Sequence, residues 1–122
     1  MKNHESAENY IETIYMLNKR LGYVRSIDIA NELDFSKPSV SVAMKNLREN
    51  GYVEVDAGGH ISLTSAGLEI AERMYERHTL LTAFFTKLGV DPEIAAEDAC
   101  RIEHVISAES FEAIKRYAET EN

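Results

Sequence analysis

Apolar residues at positions 11, 14, 15 and 17 (Ile11, Ile14, Tyr15, Leu17) fall at helical spacing and predict a helix running to about Arg20. Ser6 can cap it, and Gly22 supplies a C-terminal stop. Ser26 opens a second, short helix whose apolar side is Ile27, Ile29, Ala30 and Leu33. Ser36 can cap a third, with Pro38 in the first turn, where a missing N–H costs little, and Gly51 at its end. Val40, Ala43, Met44 and Leu47 form its inward stripe. Two short β-rich runs follow, Tyr52 to Val55 and His60 to Leu63, separated by Asp56-Ala57-Gly58-Gly59, which is a hairpin signal. Thr64 then caps a long helix to about Leu88, in which Leu68, Ala71, Tyr75, His78, Leu81 and Phe85 step by three or four and Gly89 is the stop. Asp91-Pro92 starts a fifth helix reaching Ile106, and Ser107 caps a sixth through Tyr117, beyond which the tail is expected to fray. There is no internal repeat and no low-complexity tract.

Three helices followed by a hairpin are the order of a winged helix-turn-helix. The pattern predicts a mainly α chain, with a winged helix-turn-helix DNA-binding domain over 1–63 and a helical domain over 64–122. With Ser26 as the first position of the helix-turn-helix, the fifth is Ala30, small enough for two helices to cross closely. The ninth is Asp34, where the turn wants a positive φ that Asp tolerates better than most residues. If the third helix enters a major groove, Ser39, Val42 and Asn46 project outward along one face. An outward Val42 suits a thymine methyl, as does Pro38 at the helix start. Lys37, Lys45 and Arg48 can reach phosphates, together with the Ser39 hydroxyl and the free N–H groups of the first turn, and Ser36 at the helix start is counted among the DNA-binding residues. Lys45 and Arg48 read equally well, taken singly, as an ordinary solvated flank.

The charge balance tempers this reading without excluding it. The 122 residues carry a net charge of −8. Residues 1–63 hold 7 Lys and Arg against 9 Asp and Glu, a sum of −2, and residues 64–122 hold 6 against 12, a sum of −6. The acid therefore sits mainly in the second half, and a locally basic surface in the first remains open. At 44% hydrophobic residues the chain is not a disordered one. No apolar run approaches a membrane span, and the polar start MKNHESAENY has no signal core, so a cytoplasmic location is expected. A single cysteine, Cys100, rules out an internal disulfide.

Within the fifth helix, Cys100, Glu103 and His104 stand at i, i+3 and i+4. That spacing puts a thiol, a carboxylate and an imidazole on one helical face, close enough to share a cation. His78 lies inside the apolar stripe of the fourth helix, where a histidine also reads as a core residue. Asn9 and Glu12, at i and i+3 on the first helix, read individually as surface residues.

The run Glu97-Asp98-Ala99-Cys100-Arg101-Ile102-Glu103-His104-Val105-Ile106-Ser107 is similar to the metal-binding helix of the diphtheria toxin repressor family of iron- and manganese-activated transcriptional repressors. Glu8-Asn9-Tyr10-Ile11-Glu12 with Ile14-Tyr15, Arg77-His78 with Leu80-Leu81, and Ser36, Pro38, Ser39 and Val40 extend the resemblance over nearly the whole chain. It implies a helical metal-binding and dimerisation domain after the winged helix, with Asn9, Glu12, His78, Cys100, Glu103 and His104 as metal residues tying the first helix to the fourth and fifth. Iron-type members place Met, and manganese-type members Asp, where this chain has Asn9. At the position of Cys100 the iron type has Cys and the manganese type Glu. Glu12 with His78 resembles the manganese type, in which both bind metal. Thr82 and Ala96 replace the Glu and His of the iron type's ancillary site, and Val42 replaces its Gln. The length leaves no room for the iron type's SH3-like domain, so a short, manganese-type scaffold carrying an iron-type cysteine is expected.

These readings converge on a homodimeric repressor of metal-uptake genes that binds a double-stranded DNA operator when Mn²⁺ or Fe²⁺ is bound, with Zn²⁺ or Co²⁺ as substitutes in vitro. Two-fold symmetry matches half-sites about one helical turn apart. Phe84, Ile94, Ile102 and Ile106 are candidate dimer positions. A winged-helix regulator sensing a small organic ligand would bind DNA regardless of chelators. A metalloenzyme is disfavoured by the lack of a glycine-rich phosphate loop or a nucleophile–base pair.

Overall fold

A computed structural model describes residues 7–120 in the order α1 (Ala7–Leu21), α2 (Ser26–Leu33), α3 (Lys37–Glu49), β1 (Val53–Val55), β2 (Ile61–Leu63), α4 (Ser65–Lys87), α5 (Pro92–Ile102) and α6 (Ala108–Thr120). The Ser6 cap lies outside the described residues. Packing divides the chain into two compact units inside α4, between Glu72 and Arg73.

In the first unit, α1 buries Tyr10, Ile11, Ile14 and Leu17 on one face. α2 adds Ile29 and Ala30, and α3 adds Val40, Met44 and Leu47, so the three helices share one core. Ile27 does not join them and is 41% exposed. Positions two apart on a helix point to different sides, so a stripe through Ile29 and Leu33 leaves residue 27 outside. Between α2 and α3, Asp34 adopts the expected left-handed conformation, φ 57° and ψ 42°. The Phe35 N–H then closes on the Ala30 carbonyl at 3.1 Å. Ser36 caps α3 by accepting from the Ser39 N–H.

The hairpin pairs Val53 with Leu63, Glu54 with Ser62 and Val55 with Ile61, antiparallel. Each strand starts one residue later than its β-rich run. The Asp56 carboxylate accepts from the N–H groups of Gly58 and His60, both at 2.9 Å, and so closes the tip. A one-residue bridge, Val24 to Ile61, adds a third segment that sequence patterning missed because one residue has no period. At the hairpin base, Thr64 accepts from the Gly67 N–H and donates to the Gly51 carbonyl. Gly67 is required here, since a Cβ would collide with the Tyr52 carbonyl oxygen.

In the second unit, Leu81 of α4, Ala99 of α5 and Phe111 of α6 form the core, flanked by Leu80, Phe85, Ile102, Ile106 and Ile114. Along α4, Ala71, Met74 and Leu81 are buried, whereas Leu68 and Tyr75 of the expected stripe are exposed. Asp91 and Ser107 cap α5 and α6 as expected. α5 nevertheless ends at Ile102, four residues short of Ile106, and residues 103–105 form a turn. Ser107 leaves helical geometry to cap α6, so α5 and α6 cannot run as one helix through it. α6 continues past Tyr117 to Thr120. Of the candidate dimer positions, Ile94 is exposed, Ile102 and Ile106 pack against the core, and Phe84 meets Tyr117 edge-on at 6.2 Å. Among the described residues, no helix is long and apolar enough to cross a membrane.

Candidate functional site

α3 keeps its apolar stripe inward and leaves the opposite face to solvent. Val42 is 60% exposed, an unusual position for a branched aliphatic side chain on a solvated helix. Lys37, Pro38, Lys45, Asn46 and Arg48 are exposed with it. The helix carries three basic residues against one acidic, so its surface is locally positive on a chain of net negative charge. Ser39 is half-buried, and its hydroxyl accepts from the Ser36 hydroxyl at 2.9 Å in an exposed contact at the helix start.

Beyond α3, the hairpin tip carries polar residues that sequence reading assigned no role. His60 Nδ1 lies 3.2 Å from Asp56 Oδ2, and its Nε2 lies 3.1 Å from Arg25 Nη2. An ionised Asp56 takes the proton on Nδ1 and leaves Nε2 to accept from Arg25. The Tyr23 ring stacks on the imidazole at 4.7 Å. Hydrogen bonds from the His60 backbone first, and from the His60 side chain and Gly58 backbone after it, hold the Asp56 carboxyl below the usual carboxylate range.

The second unit contains the densest chemistry. Glu103 is fully buried although it carries a carboxylate. His78 Nδ1 lies 2.9 Å from its Oε1, and His104 Nε2 lies 3.5 Å from its Oε2. Neighbours on a regular helix do not face each other, but in the turn after α5 the side chains of Glu103 and His104 converge. Burying a lone carboxylate is costly, so one held between two imidazoles marks a site where charge is compensated. One carboxylate and two imidazoles are donor chemistry that a divalent transition metal takes, and these residues fit such an ion.

Cys100 lies elsewhere on the accessibility scale: it is exposed on the body of α5 while Glu103 is enclosed. α5 ends at Ile102, with Glu103 still in helical geometry at its C-cap and its N–H bonded to the Ala99 carbonyl. In the first unit, Glu12 is among the buried residues of α1 and Asn9 is half-buried, its carbonyl accepting from the Thr13 hydroxyl at 2.8 Å. A buried carboxylate at position 12 contradicts a plain surface reading of that residue. Arg77 was legible in sequence only as a neighbour of His78. In the structure its Nη1 donates to the Glu103 and Ile106 carbonyls, at 3.0 and 3.2 Å. A basic residue beside a histidine in an apolar stripe is the signal that could have singled it out.

Comparison with known proteins finds matches over both halves of the chain. Residues 3–61 match the iron dependent repressor N-terminal DNA binding domain, and residues 64–120 the iron dependent repressor metal binding and dimerisation domain. The transcriptional regulator MntR of Escherichia coli O6:H1 is 34% identical over 115 residues, covering 94% of this chain and 74% of that protein. The HTH-type transcriptional regulator MntR of Listeria monocytogenes serotype 4a is 38% identical over 109 residues, covering 89% and 77%. Among solved structures, the manganese regulator SloR matches with a TM-score of 0.83 at 26% identity over 96% of this chain, which spans 55% of the SloR chain. The chain belongs to the iron-dependent repressor family, whose members are metal-dependent, DNA-binding transcriptional regulators rather than enzymes.

Proposed function

We propose that this chain is a cytoplasmic, homodimeric repressor of metal-uptake genes, and that Mn²⁺ or Fe²⁺ raises its affinity for a double-stranded operator. The observation that carries the proposal is Glu103, a fully buried carboxylate with His78 and His104 against it. We assign Glu103, His104 and His78 as the principal metal donors. Glu12, Asn9 and Cys100 are added to the donor set on the strength of the motif resemblance, with domain limits at 1–63 and 64–122.

On the DNA side, Ser36, Ser39 and the first-turn N–H groups of α3 would meet the phosphate backbone. Lys37, Lys45 and Arg48 would do the same, while Pro38, Val42 and Asn46 reach base edges. A bound divalent cation supplies positive charge that neutralises Glu103. If the metal-loaded protein is the form that fits DNA, then metal and operator must strengthen each other by the same factor. Zn²⁺ and Co²⁺ are expected to substitute in vitro.

The test is an operator-binding titration against Mn²⁺, Fe²⁺ and Zn²⁺ under reducing, anaerobic conditions. Wild-type binding should rise with metal and fall with chelator. Glu103→Gln and His104→Ala should lose the metal-stimulated part while remaining folded dimers. Wild-type operator affinity in either variant at limiting metal would refute the donor assignment.

A further inference from the structure

Arg77 precedes His78 on α4 and faces the turn that carries Glu103 and His104. Its Nη1 bears two hydrogens, and it donates at 3.0 Å to the Glu103 carbonyl and at 3.2 Å to the Ile106 carbonyl. Its Cζ lies 5.5 Å from the centroid of the Phe111 ring, and Phe111 is buried at the centre of the second core. One guanidinium thus meets α4, the turn after α5, and α6.

We propose that Arg77 is the positioning residue of the metal centre, fixing the 103–106 turn so that the Glu103 carboxylate and the His104 imidazole are aimed alongside His78. The inference rests on the reading of Glu103, His104 and His78 as donors. The Glu103 and Ile106 carbonyls lie beyond the last residue of α5, and backbone carbonyls in such a turn need a partner from outside it. Arg77 supplies that partner from the element that also carries His78. Glu103 has no exposed surface, so its carboxylate cannot re-aim into solvent, and its direction follows its own backbone, which Arg77 holds. The planar guanidinium matters as well as the charge, because it lies against Phe111 while donating in two directions. Lysine keeps the charge and can donate, but it loses both the plane and the fixed fork.

The test follows Mn²⁺ binding to the full chain, without DNA, through loss of the free-ion electron paramagnetic resonance signal and through the spectrum of the bound ion. Groups that orient metal ligands typically change affinity 10–100-fold when removed, so Arg77→Met should bind Mn²⁺ roughly tenfold or more weakly and give an altered bound spectrum. Arg77→Lys should recover part of the affinity. Phe111→Leu, which keeps both carbonyl bonds, should fall between wild type and Arg77→Met. If Arg77→Met binds within about twofold of wild type, with the wild-type spectrum, the inference is overturned whatever happens to thermal stability. If Arg77→Met does not fold, Arg77→Lys and Phe111→Leu decide. Altered affinity or spectrum in either supports the inference, and wild-type behaviour in both overturns it. A wild-type protein that leaves the free-ion signal unchanged would instead overturn the donor reading on which the inference stands.

Discussion

His78 of α4 and Glu103, at the end of α5, meet through Nδ1 and Oε1 at 2.9 Å, 25 residues apart in the chain and with the carboxylate wholly shielded from water. A contact of this kind holds the unit together and also reserves a negative charge where solvent cannot neutralise it. Those two roles respond differently to substitution.

Glu103→Gln keeps the volume and removes the charge. Without metal the variant should melt below the wild type, since removing one partner of a buried charged contact leaves the imidazoles that face it uncompensated. With Mn²⁺ the gap should widen. Ligand at 100 times its dissociation constant stabilises by about 2.7 kcal/mol, an increment expected in wild type and absent in the variant. Thermal melts with and without Mn²⁺ measure both. A variant that is several degrees less stable without metal, yet still stabilised by Mn²⁺, would make Glu103 a structural residue only.

On α3, exposed Val42 and exposed Lys45 should fail in different ways. Val42→Ala should alter sequence preference, costing roughly 1 kcal/mol or more at one base position. Lys45→Ala should weaken binding to all sequences alike and flatten the salt dependence by about one unit. Binding measured on a panel of single-base operator variants at two salt concentrations separates the two. Equal loss of discrimination from both substitutions would contradict the division between base and phosphate contacts.

How much of this could be read in advance depends on the length scale of the signal. Asp34 in the helix-turn-helix, the Ser36, Asp91 and Ser107 caps and the inward Val40, Met44 and Leu47 were all legible, because each is decided within one helical turn. The end of α5 was not. Ile102 to Ile106 continues an acceptable helical pattern, yet the helix stops at Ile102, and the Glu103 and Ile106 carbonyls of the turn are taken by Arg77, which lies far away in sequence. For the same reason the donor residues could be nominated but not oriented. Spacing put Cys100 near Glu103 and His104, but it could not tell that Glu103 is enclosed while Cys100 is exposed. The residues of the hairpin tip come from separate parts of the chain, so Arg25 and Tyr23 carried no local signal.

Cys100 provides the test of metal choice. A thiolate favours Fe²⁺, Co²⁺ or Zn²⁺ over Mn²⁺, and the neutral amide of Asn9 lowers the negative charge available to a hard ion. The double variant Asn9→Asp with Cys100→Glu should therefore raise Mn²⁺ affinity relative to Co²⁺, measured anaerobically on folded dimer. An unchanged ratio would fit the exposure of Cys100 and remove it from the donor set.

The hairpin tip makes a prediction about acid. The Asp56 carboxyl is held below its ordinary range, first by the His60 N–H. Its ionised form therefore favours the folded turn at pH above the ordinary carboxylate range, and that contribution is lost as pH falls through the depressed value. The amide resonances of Gly58 and His60 should titrate with a midpoint below about 3.9, the reference value for Asp. A midpoint at or above it would mean that these bonds do not persist in solution.

The bridge between Val24 and Ile61 also bears on how the first unit assembles. Most pairings there join neighbours in the chain: α2 to α3, β1 to β2, Thr64 to Gly67. The 2.7 Å bond from the Ile61 N–H to the Val24 carbonyl instead closes a loop that contains both helices of the DNA-reading pair and half of the hairpin. Loop closure of this kind slows folding, because its entropy is lost before the contact is gained. Val24 is fully buried and Ile61 nearly so, and Ile61 is also paired to Val55, so a slip of one residue would turn this side chain out to water. The bridge and the hairpin ladder thus hold Ile61 from two sides, so the alignment of the wing is tied to the segment that enters α2 as well as to its own turn.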